Sequence, residues 1–167
     1  MVHYFLPVMK LLIWFFLLLL IGPNLLGQEI PVLSYEDLEK RIRETDDTEL
    51  LVVNFWATWC KPCIKELPYF DSLQAAYNAK EVTVLMVSLD MEADAAAKYQ
   101  KKKNIQSEVV FLDEVDHNAW INRISPDWSG AIPATLFRTN AGTERFHEGE
   151  YSAEALFNQV NQLLNPN

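Results

Sequence analysis

Residues 50–63 read LLVVNFWATWCKPC, and this stretch decides the fold. Its first half, residues 50–56, is a near-continuous run of β-prone residues that predicts a strand buried on both faces. Its second half holds Cys60 and Cys63, with Pro62 between them. Proline is accepted in the first turn of a helix, where its missing N–H costs no hydrogen bond. The stretch therefore predicts a buried strand, a loop and a helix that starts at the cysteine pair.

Helices and strands alternate along the rest of the chain. Helical spacing of apolar residues predicts a first helix that Ser34 caps and that ends before Glu44, and a last helix that Ser152 caps. Between them, helices are predicted over residues 60–77, 93–103 and 117–124, and strands over residues 50–56, 82–89, 109–112, 134–138 and 143–148. The last two strands flank a hairpin turn at residues 140–142. We therefore predict a mixed α/β fold, in which helices flank a partly parallel sheet that ends in an antiparallel hairpin.

Composition and charge exclude two classes of protein. Half of the 167 residues are hydrophobic, which is too apolar for a disordered chain and enough for one domain with a sizeable core. The net charge of −9 argues against a nucleic-acid partner, because a phosphate-backbone binder needs a basic face. The basic run at residues 101–103 is short, and we interpret it as the last turn of a helix.

The first 27 residues differ from the rest. Lys10 precedes an apolar run at residues 11–21, LLIWFFLLLLI, and residues 22–24 then break it. This order is typical of a signal peptide, with cleavage after Gly27 and a mature domain over residues 28–167. Leu25 is large for a cleavage site, so an uncleaved membrane anchor stays open, and it would be the protein's only contact with a membrane. Either reading predicts an exported protein of the periplasm or cell envelope.

The cysteine pair has the parts that disulfide exchange needs. Cys60 is predicted at the N-terminus of a helix, where free backbone N–H groups and the helix dipole favour a thiolate. Lys61 adds a positive charge beside it. A thiolate is the species that attacks a disulfide, and Cys63, one helical turn on, is placed to displace the mixed disulfide that results.

The pair has two alternative uses, as zinc ligands or as a structural disulfide. A structural zinc site needs four ligands, and the exported chain offers two cysteines and only two histidines, His117 and His147. A purely structural disulfide would close a loop of four residues, which gains little chain entropy. We therefore expect a redox pair, with no metal and no cofactor.

The sequence resembles the thioredoxin superfamily. Residues 53–63, VNFWATWCKPC, resemble the family's strand and active-site segment, and residues 131–135, AIPAT, resemble the loop that holds its cis-proline. Residues 63–68, CIKELP, look more specifically like the exported TlpA/ResA-like branch, and residues 93–111 resemble the inserted helix and strand of that branch. The resemblance covers residues 34–164, and it implies a thioredoxin fold with this insertion.

The resemblance also implies roles for single residues. Cys60 would be the attacking thiolate and Cys63 the resolving thiol, and Pro133 would be the cis-proline that faces the disulfide. The substrate would contact three further residues, Trp59, Pro62 and Ile132. For Ile132 the alternative is an ordinary buried side chain.

One residue departs from the pattern of the superfamily. Cytoplasmic thioredoxins carry a buried Asp where this sequence has Asn54, and an amide cannot take a proton from Cys63. Glu66 follows Cys63 by three residues and can lie on the same helix face, so it is a candidate substitute. The hypothesis is that Glu66 tunes the pKa values of the two thiols. The alternative is a solvent-facing glutamate.

These expectations combine into a thiol–disulfide oxidoreductase outside the cytoplasm that exchanges disulfides with protein thiols. The resemblance favours a reductase, with cytochrome c maturation as a typical task of the branch, and a reductase there needs an electron donor in the membrane. Three alternatives stay open: an oxidant that forms disulfides, a thiol peroxidase, and a non-catalytic module that binds peptides.

Overall fold

A computed structural model describes residues 29–44, 48–114 and 116–166, and for residues 117 and 118 it describes the backbone only. The predicted signal peptide or anchor, residues 1–27, lies outside the described residues. Among the residues that are described, no helix is long and apolar enough to cross a membrane.

Six strands and five helices make up the described chain. The strands are β1 Val32–Leu33, β2 Leu50–Trp56, β3 Val82–Ser88, β4 Glu108–Leu112, β5 Ala134–Thr139 and β6 Glu144–Glu148. The helices are α1 Tyr35–Arg43, α2 Lys61–Ala76, α3 Ala93–Lys103, α4 His117–Ile124 and α5 Ala153–Leu164.

The strands form one mixed sheet in the order β1-β4-β3-β2-β5-β6. The first four strands in this order, β1, β4, β3 and β2, are parallel to one another. The strand β5 is antiparallel to β2, and β6 is antiparallel to β5. The register places Asn54 in the centre of the sheet, opposite Met86 of β3 and Thr135 of β5. This architecture confirms the predicted mixed α/β class.

The central strand β2 supplies both cores of the molecule. All seven of its residues are buried, as its unbroken apolar pattern predicts. Leu50, Val52 and Trp56 point to a cluster with residues of α2, α3 and α5, whereas alternate residues such as Phe55 point to a cluster with α1 and α4. Two helical layers therefore cover the sheet, and Asn54, which alternates with Phe55, faces the layer that contains α2.

Local capping explains where the first helix begins. Ser34 Oγ accepts a hydrogen bond from the backbone N–H of Asp37 at 3.2 Å, which satisfies one of the free donors of α1. The serine hydroxyl donates in turn to Asp37 Oδ2 at 2.7 Å. The predicted cap is therefore present as the sequence indicates.

The structure shifts the ends of several predicted elements by one residue and adds one strand. The strand predicted over residues 82–89 ends at Ser88, and the strand predicted over residues 143–148 begins at Glu144. The short edge strand β1 was not predicted, because its two residues are too few to show the alternating pattern of a strand. It forms by pairing with a distant segment, where the N–H of Phe111 donates to the carbonyl of Pro31 at 2.9 Å.

Candidate active site

The cysteine pair lies at the N-terminus of α2, as predicted. Cys60 is the N-cap residue, with an extended backbone, and its Sγ accepts a hydrogen bond from the N–H of Cys63 at 3.3 Å. The two residues form a disulfide in this structure. Cys63 is fully buried and Cys60 is 5% exposed, so Cys60 is the member of the pair that lies nearer the solvent.

The proline loop faces the disulfide. The peptide bond between Ile132 and Pro133 is cis, and the carbonyl oxygen of Ile132 lies 3.6 Å from Cys60 Sγ. Antiparallel pairing of β2 with β5 puts Ala134 opposite Phe55, which carries the loop to the end of β2 where the cysteine segment begins. The N–H of Gly149 donates to the carbonyl of Pro133 at 2.8 Å and ties the loop to the chain after β6.

The two tryptophans near the pair have different surroundings. Trp56 is fully buried and packs on Tyr99, with ring centroids 5.6 Å apart, so it belongs to the core. Trp59 is 64% exposed. Among the large apolar side chains that the structure describes, only Trp59, Met91 and Val32 are exposed, and Met91 at 94% is the most exposed of them.

The other two residues predicted to contact a substrate also reach the surface. Pro62 is exposed in the first turn of α2. Ile132 is partly buried and packs against the cores on both faces of the sheet. Its side chain therefore packs against the hydrophobic cores, while its carbonyl oxygen lies beside Cys60.

Glu66 is buried, so the alternative of a solvent-facing glutamate is wrong. The side chain is 0% exposed. Its Oε1 accepts a hydrogen bond from Asn54 Nδ2 at 2.8 Å, and its Oε2 accepts one from the N–H of Tyr151 at 2.7 Å. Burial raises the pKa of Glu66 to about 7, although the two hydrogen bonds oppose the rise and the charge of Glu150 adds to it. The carboxyl group can therefore gain or lose a proton near neutral pH.

Asn54 complements this carboxyl group. A buried Asp at the same position would put a second carboxyl next to Glu66, and two adjacent carboxylates disfavour each other's ionised form. The amide instead donates to Glu66 and, through the same nitrogen, to Thr135 Oγ1 at 3.3 Å. The departure at residue 54 and the glutamate at residue 66 thus belong to one buried polar group.

Tyr151, near the C-terminal end of the chain, is the third residue in the buried polar cluster of Asn54 and Glu66, because its N–H donates to Glu66. Its ring is 8% exposed, and it packs edge-on against Phe137, with centroids 5.8 Å apart, and against the ring of His147 at 4.3 Å. Burial and the nearby charge of Glu66 raise the pKa of Tyr151 to about 12, so the phenol stays neutral at physiological pH. The sequence carried no signal for this contact, since Tyr151 follows Glu66 by 85 residues.

Asp90, which follows β3, was not predicted as a residue of the site. This carboxylate is only 7% exposed. It accepts hydrogen bonds from the backbone N–H of Thr58 at 3.0 Å and from Thr58 Oγ1 at 2.6 Å. A usable signal was its place just beyond a buried strand parallel to β2, because such strand ends meet at one edge of the sheet.

The order of the strands and the disulfide between Cys60 and Cys63 are those of a protein of the thioredoxin superfamily. More specifically, the chain belongs to the AhpC/TSA family, whose model matches residues 26–141. The predicted superfamily is thereby confirmed.

The curated relatives of this chain include thiol-disulfide oxidoreductases named ResA. A thiol-disulfide oxidoreductase ResA of Oceanobacillus iheyensis is 52% identical over 114 residues, which are 68% of this chain and 56% of the relative. The chain spans about half the length of the curated relatives it matches.

Solved structures confirm the predicted thioredoxin fold. A thioredoxin-related protein from Neisseria meningitidis superposes with a TM-score of 0.62 at 22% identity, over 70% of this chain and 85% of that one. A secreted disulfide oxidoreductase from Mycobacterium tuberculosis, described as homologous to DsbE of E. coli, gives a TM-score of 0.54 at 25% identity, over 68% of this chain and 81% of that one.

Proposed function

We propose that this protein is a thiol–disulfide oxidoreductase that acts on protein disulfides outside the cytoplasm, in the direction of reduction. The observation that carries the proposal is the position of Cys60, which caps α2 and lies 3.6 Å from the carbonyl of Ile132 in the cis-proline loop. The helix N-terminus favours a thiolate there once the pair is reduced.

The reaction proceeds by two exchange steps. The Cys60 thiolate attacks one sulfur of a substrate disulfide, forms a mixed disulfide with it and releases the other sulfur as a thiolate. Cys63 then loses its proton and attacks Cys60 Sγ, which releases the second substrate thiolate and forms the Cys60–Cys63 disulfide. Two electrons pass from the protein to the substrate. Glu66, whose pKa is raised to about 7, is the candidate to take the proton of Cys63.

The surface around Cys60 suits a polypeptide substrate. The backbone of Ile132 is at hand for an extended segment, and the exposed side chains of Trp59 and Pro62 lie within three residues of Cys60 in the sequence. Met91 adds exposed apolar surface to this region. It follows Asp90, which accepts a hydrogen bond from Thr58 of the active-site loop, so the backbone at Met91 lies near that loop.

Glu66 supports the direction of reduction. It follows Cys63 by three residues on α2, which places the two Cβ atoms roughly 5–6 Å apart. A carboxylate at that distance disfavours a thiolate on Cys63. Strong disulfide-forming proteins owe their potential to a stabilised reduced form, so a buried carboxyl group that opposes the thiolate favours a reductase.

The proposal includes a location and two partners. The order of basic, apolar and breaker residues in residues 1–27 supports export to the periplasm or cell envelope, by a cleaved signal or an anchor. A reductase there needs a dithiol donor in the membrane that re-reduces the Cys60–Cys63 pair. Protein thiols that must stay reduced for haem attachment to cytochrome c are the client class we infer.

The first experiment measures the reduction potential of the pair. The full chain is equilibrated in thiol–disulfide buffers, and oxidation of Cys60 and Cys63 is read by alkylation mass shift. A midpoint toward about −270 mV, the thioredoxin end of the range, supports a reductase, whereas one toward about −120 mV assigns the protein to disulfide formation. A pair that never cycles overturns the redox function itself.

A second experiment separates exchange from the remaining alternatives. Cys63→Ser removes the resolving thiol, so Cys60 should hold protein substrates as mixed disulfides, and Cys60→Ser is the matched control that holds none. Absence of trapped protein favours a non-catalytic peptide-binding module. Rapid formation of a sulfenic acid on Cys60 with hydrogen peroxide, at the expense of disulfide exchange, favours a peroxidase.

A further inference from the structure

Asp90 is a buried carboxylate that accepts hydrogen bonds from Thr58 of the active-site loop and from Ser88 of β3. Its Oδ1 accepts from the N–H of Thr58 at 3.0 Å and from Thr58 Oγ1 at 2.6 Å, and its Oδ2 accepts from Ser88 Oγ at 2.9 Å. Carboxylates of this kind are rarely buried without several donors, because desolvation disfavours the charge. The strand end after β3 is therefore bonded directly to the loop after β2.

Thr58 occupies the middle of a tight turn that ends on the nucleophile. The N–H of Cys60 donates to the carbonyl of Ala57 at 3.1 Å, so residues 57–60 form a turn with Thr58 and Trp59 at its centre. Holding Thr58 by both its backbone and its hydroxyl leaves this turn little freedom. Cys60 leaves the turn as the cap of α2, where it contacts Ile132 on one side and Cys63 on the other.

We propose that Asp90 is a positioning residue for disulfide exchange. It holds the turn of residues 57–60 so that Cys60 Sγ stays within reach of Cys63 and of the Ile132 carbonyl. Without the hydrogen bonds between Asp90 and Thr58, Cys60 can move, and the effective concentration of the Cys60 thiol relative to the Cys63 thiol falls. The inference rests on the proposed redox role of the pair, and it assigns to Asp90 a function that acts through Thr58 and not through contact with the substrate.

The chain offers a matched control for a merely structural role. Asp71 of α2 also anchors a loop, since its Oδ1 accepts from the N–H of Gln106 at 2.9 Å, from the N–H of Ser107 at 2.7 Å and from Ser107 Oγ at 2.8 Å. That loop leads into β4 and not into the cysteine turn. Asp90→Ala and Asp71→Ala therefore each remove one anchoring carboxylate, and only the first removes it from the active-site loop.

The test equilibrates the full chain and each variant with reduced and oxidised glutathione. We expect Asp90→Ala to lower the equilibrium constant for forming the Cys60–Cys63 disulfide about tenfold, which moves the potential about 30 mV toward the oxidising end. Asp71→Ala should stay within about twofold of the wild type. Asp90→Asn can still accept from Thr58 with its one oxygen, so it should recover most of the lost constant.

Two further results decide the outcome. Thr58→Val removes the hydroxyl donor with little change in shape, and it should lower the constant about threefold, so the inference stays testable if Asp90→Ala fails to fold. Equal constants for the wild type and Thr58→Val would overturn the positioning role, as would equal shifts for Asp90→Ala and Asp71→Ala. A wild-type pair that never equilibrates with glutathione would instead overturn the proposed function.

Discussion

The side-chain nitrogen of Asn54 donates a hydrogen bond to Glu66 Oε1 at 2.8 Å, and this bond joins the centre of the sheet to the helix that begins at the cysteines. Both residues are fully buried. The amide contributes a donor without a charge, so Glu66 keeps a partner whether it is protonated or ionised. The bond favours the ionised form and thereby moderates the rise in the pKa of Glu66 that burial causes.

Asn54→Ala should raise the pKa of Glu66 further, above about 7, because one of the two hydrogen bonds that favour its carboxylate is lost. The pKa can be followed by NMR of ¹³C-labelled glutamate across a pH titration. Thr135→Val is the control, since it removes only the second contact of the Asn54 amide, at 3.3 Å. A Glu66 pKa that stays the same in Asn54→Ala would contradict the account.

The stability of the wild type should fall between about pH 4.5 and pH 7 through Glu66. The folded state keeps a proton on Glu66 up to about pH 7, whereas the unfolded chain releases it near the ordinary value of 4.5, so the folded state binds more protons in this window. Stability therefore decreases as pH rises through it, by on the order of 1–3 kcal/mol.

Glu66→Gln removes this pH-dependent contribution. Urea unfolding at pH 5 and pH 7.5 should show a smaller loss of free energy of unfolding in the variant than in the wild type. Gln can still accept from the N–H of Tyr151, and a flipped Asn54 amide can accept from it, because no described residue donates to Asn54 Oδ1. Parallel pH profiles for the two proteins would contradict the raised pKa.

Met91→Glu should slow reduction of a protein disulfide severalfold and leave the reaction with a small disulfide nearly unchanged. The variant places a charge on the apolar surface that we assign to the substrate polypeptide. Val32→Glu is the matched control, because Val32 is 55% exposed and lies on the edge strand β1. The measurement is kcat/KM of each variant for two substrates, with insulin as the protein disulfide and oxidised glutathione as the small disulfide. Equal kcat/KM for insulin in Met91→Glu and Val32→Glu would argue against a contact between the substrate and Met91.

Trp128→Ala should cost about 3–5 kcal/mol of unfolding free energy, because the ring is 3% exposed in the core. It packs on Phe55 with centroids 4.7 Å apart and edge-on against Trp120 at 5.4 Å. Trp128→Phe should lose less, although it leaves the carbonyl of Ala131 without the indole donor at 2.8 Å. Urea unfolding measures both, and a loss below about 1 kcal/mol in Trp128→Ala would contradict this packing.

Most of the fold was predictable because its elements carry local patterns. The apolar run of β2, the serine cap of α1 and the periodic apolar residues of α5 each define an element within a few residues of sequence. β1 lacked such a pattern, since Val32 and Leu33 form a strand only by pairing with Phe111 and Leu112.

The candidate site was predictable in part for the same reason. Cys60, Cys63 and Glu66 lie within one short segment, so their spacing could be interpreted on a helix. The contacts of Asp90 with Thr58 and of Tyr151 with Glu66 join residues 32 and 85 positions apart. Such contacts follow from the order of the strands, which no local pattern specifies.

The strand order has a consequence for the newly made chain. Cys60 and Cys63 lie on α2 and its cap, but Ile132, whose carbonyl lies 3.6 Å from Cys60 Sγ, and the strand β5 after it are synthesised much later. Until β5 is made, one edge of β2 has no partner strand, and Cys60 lacks its neighbour in the proline loop. The surface around Cys60 is therefore complete only once the C-terminal part of the chain has followed the cysteines.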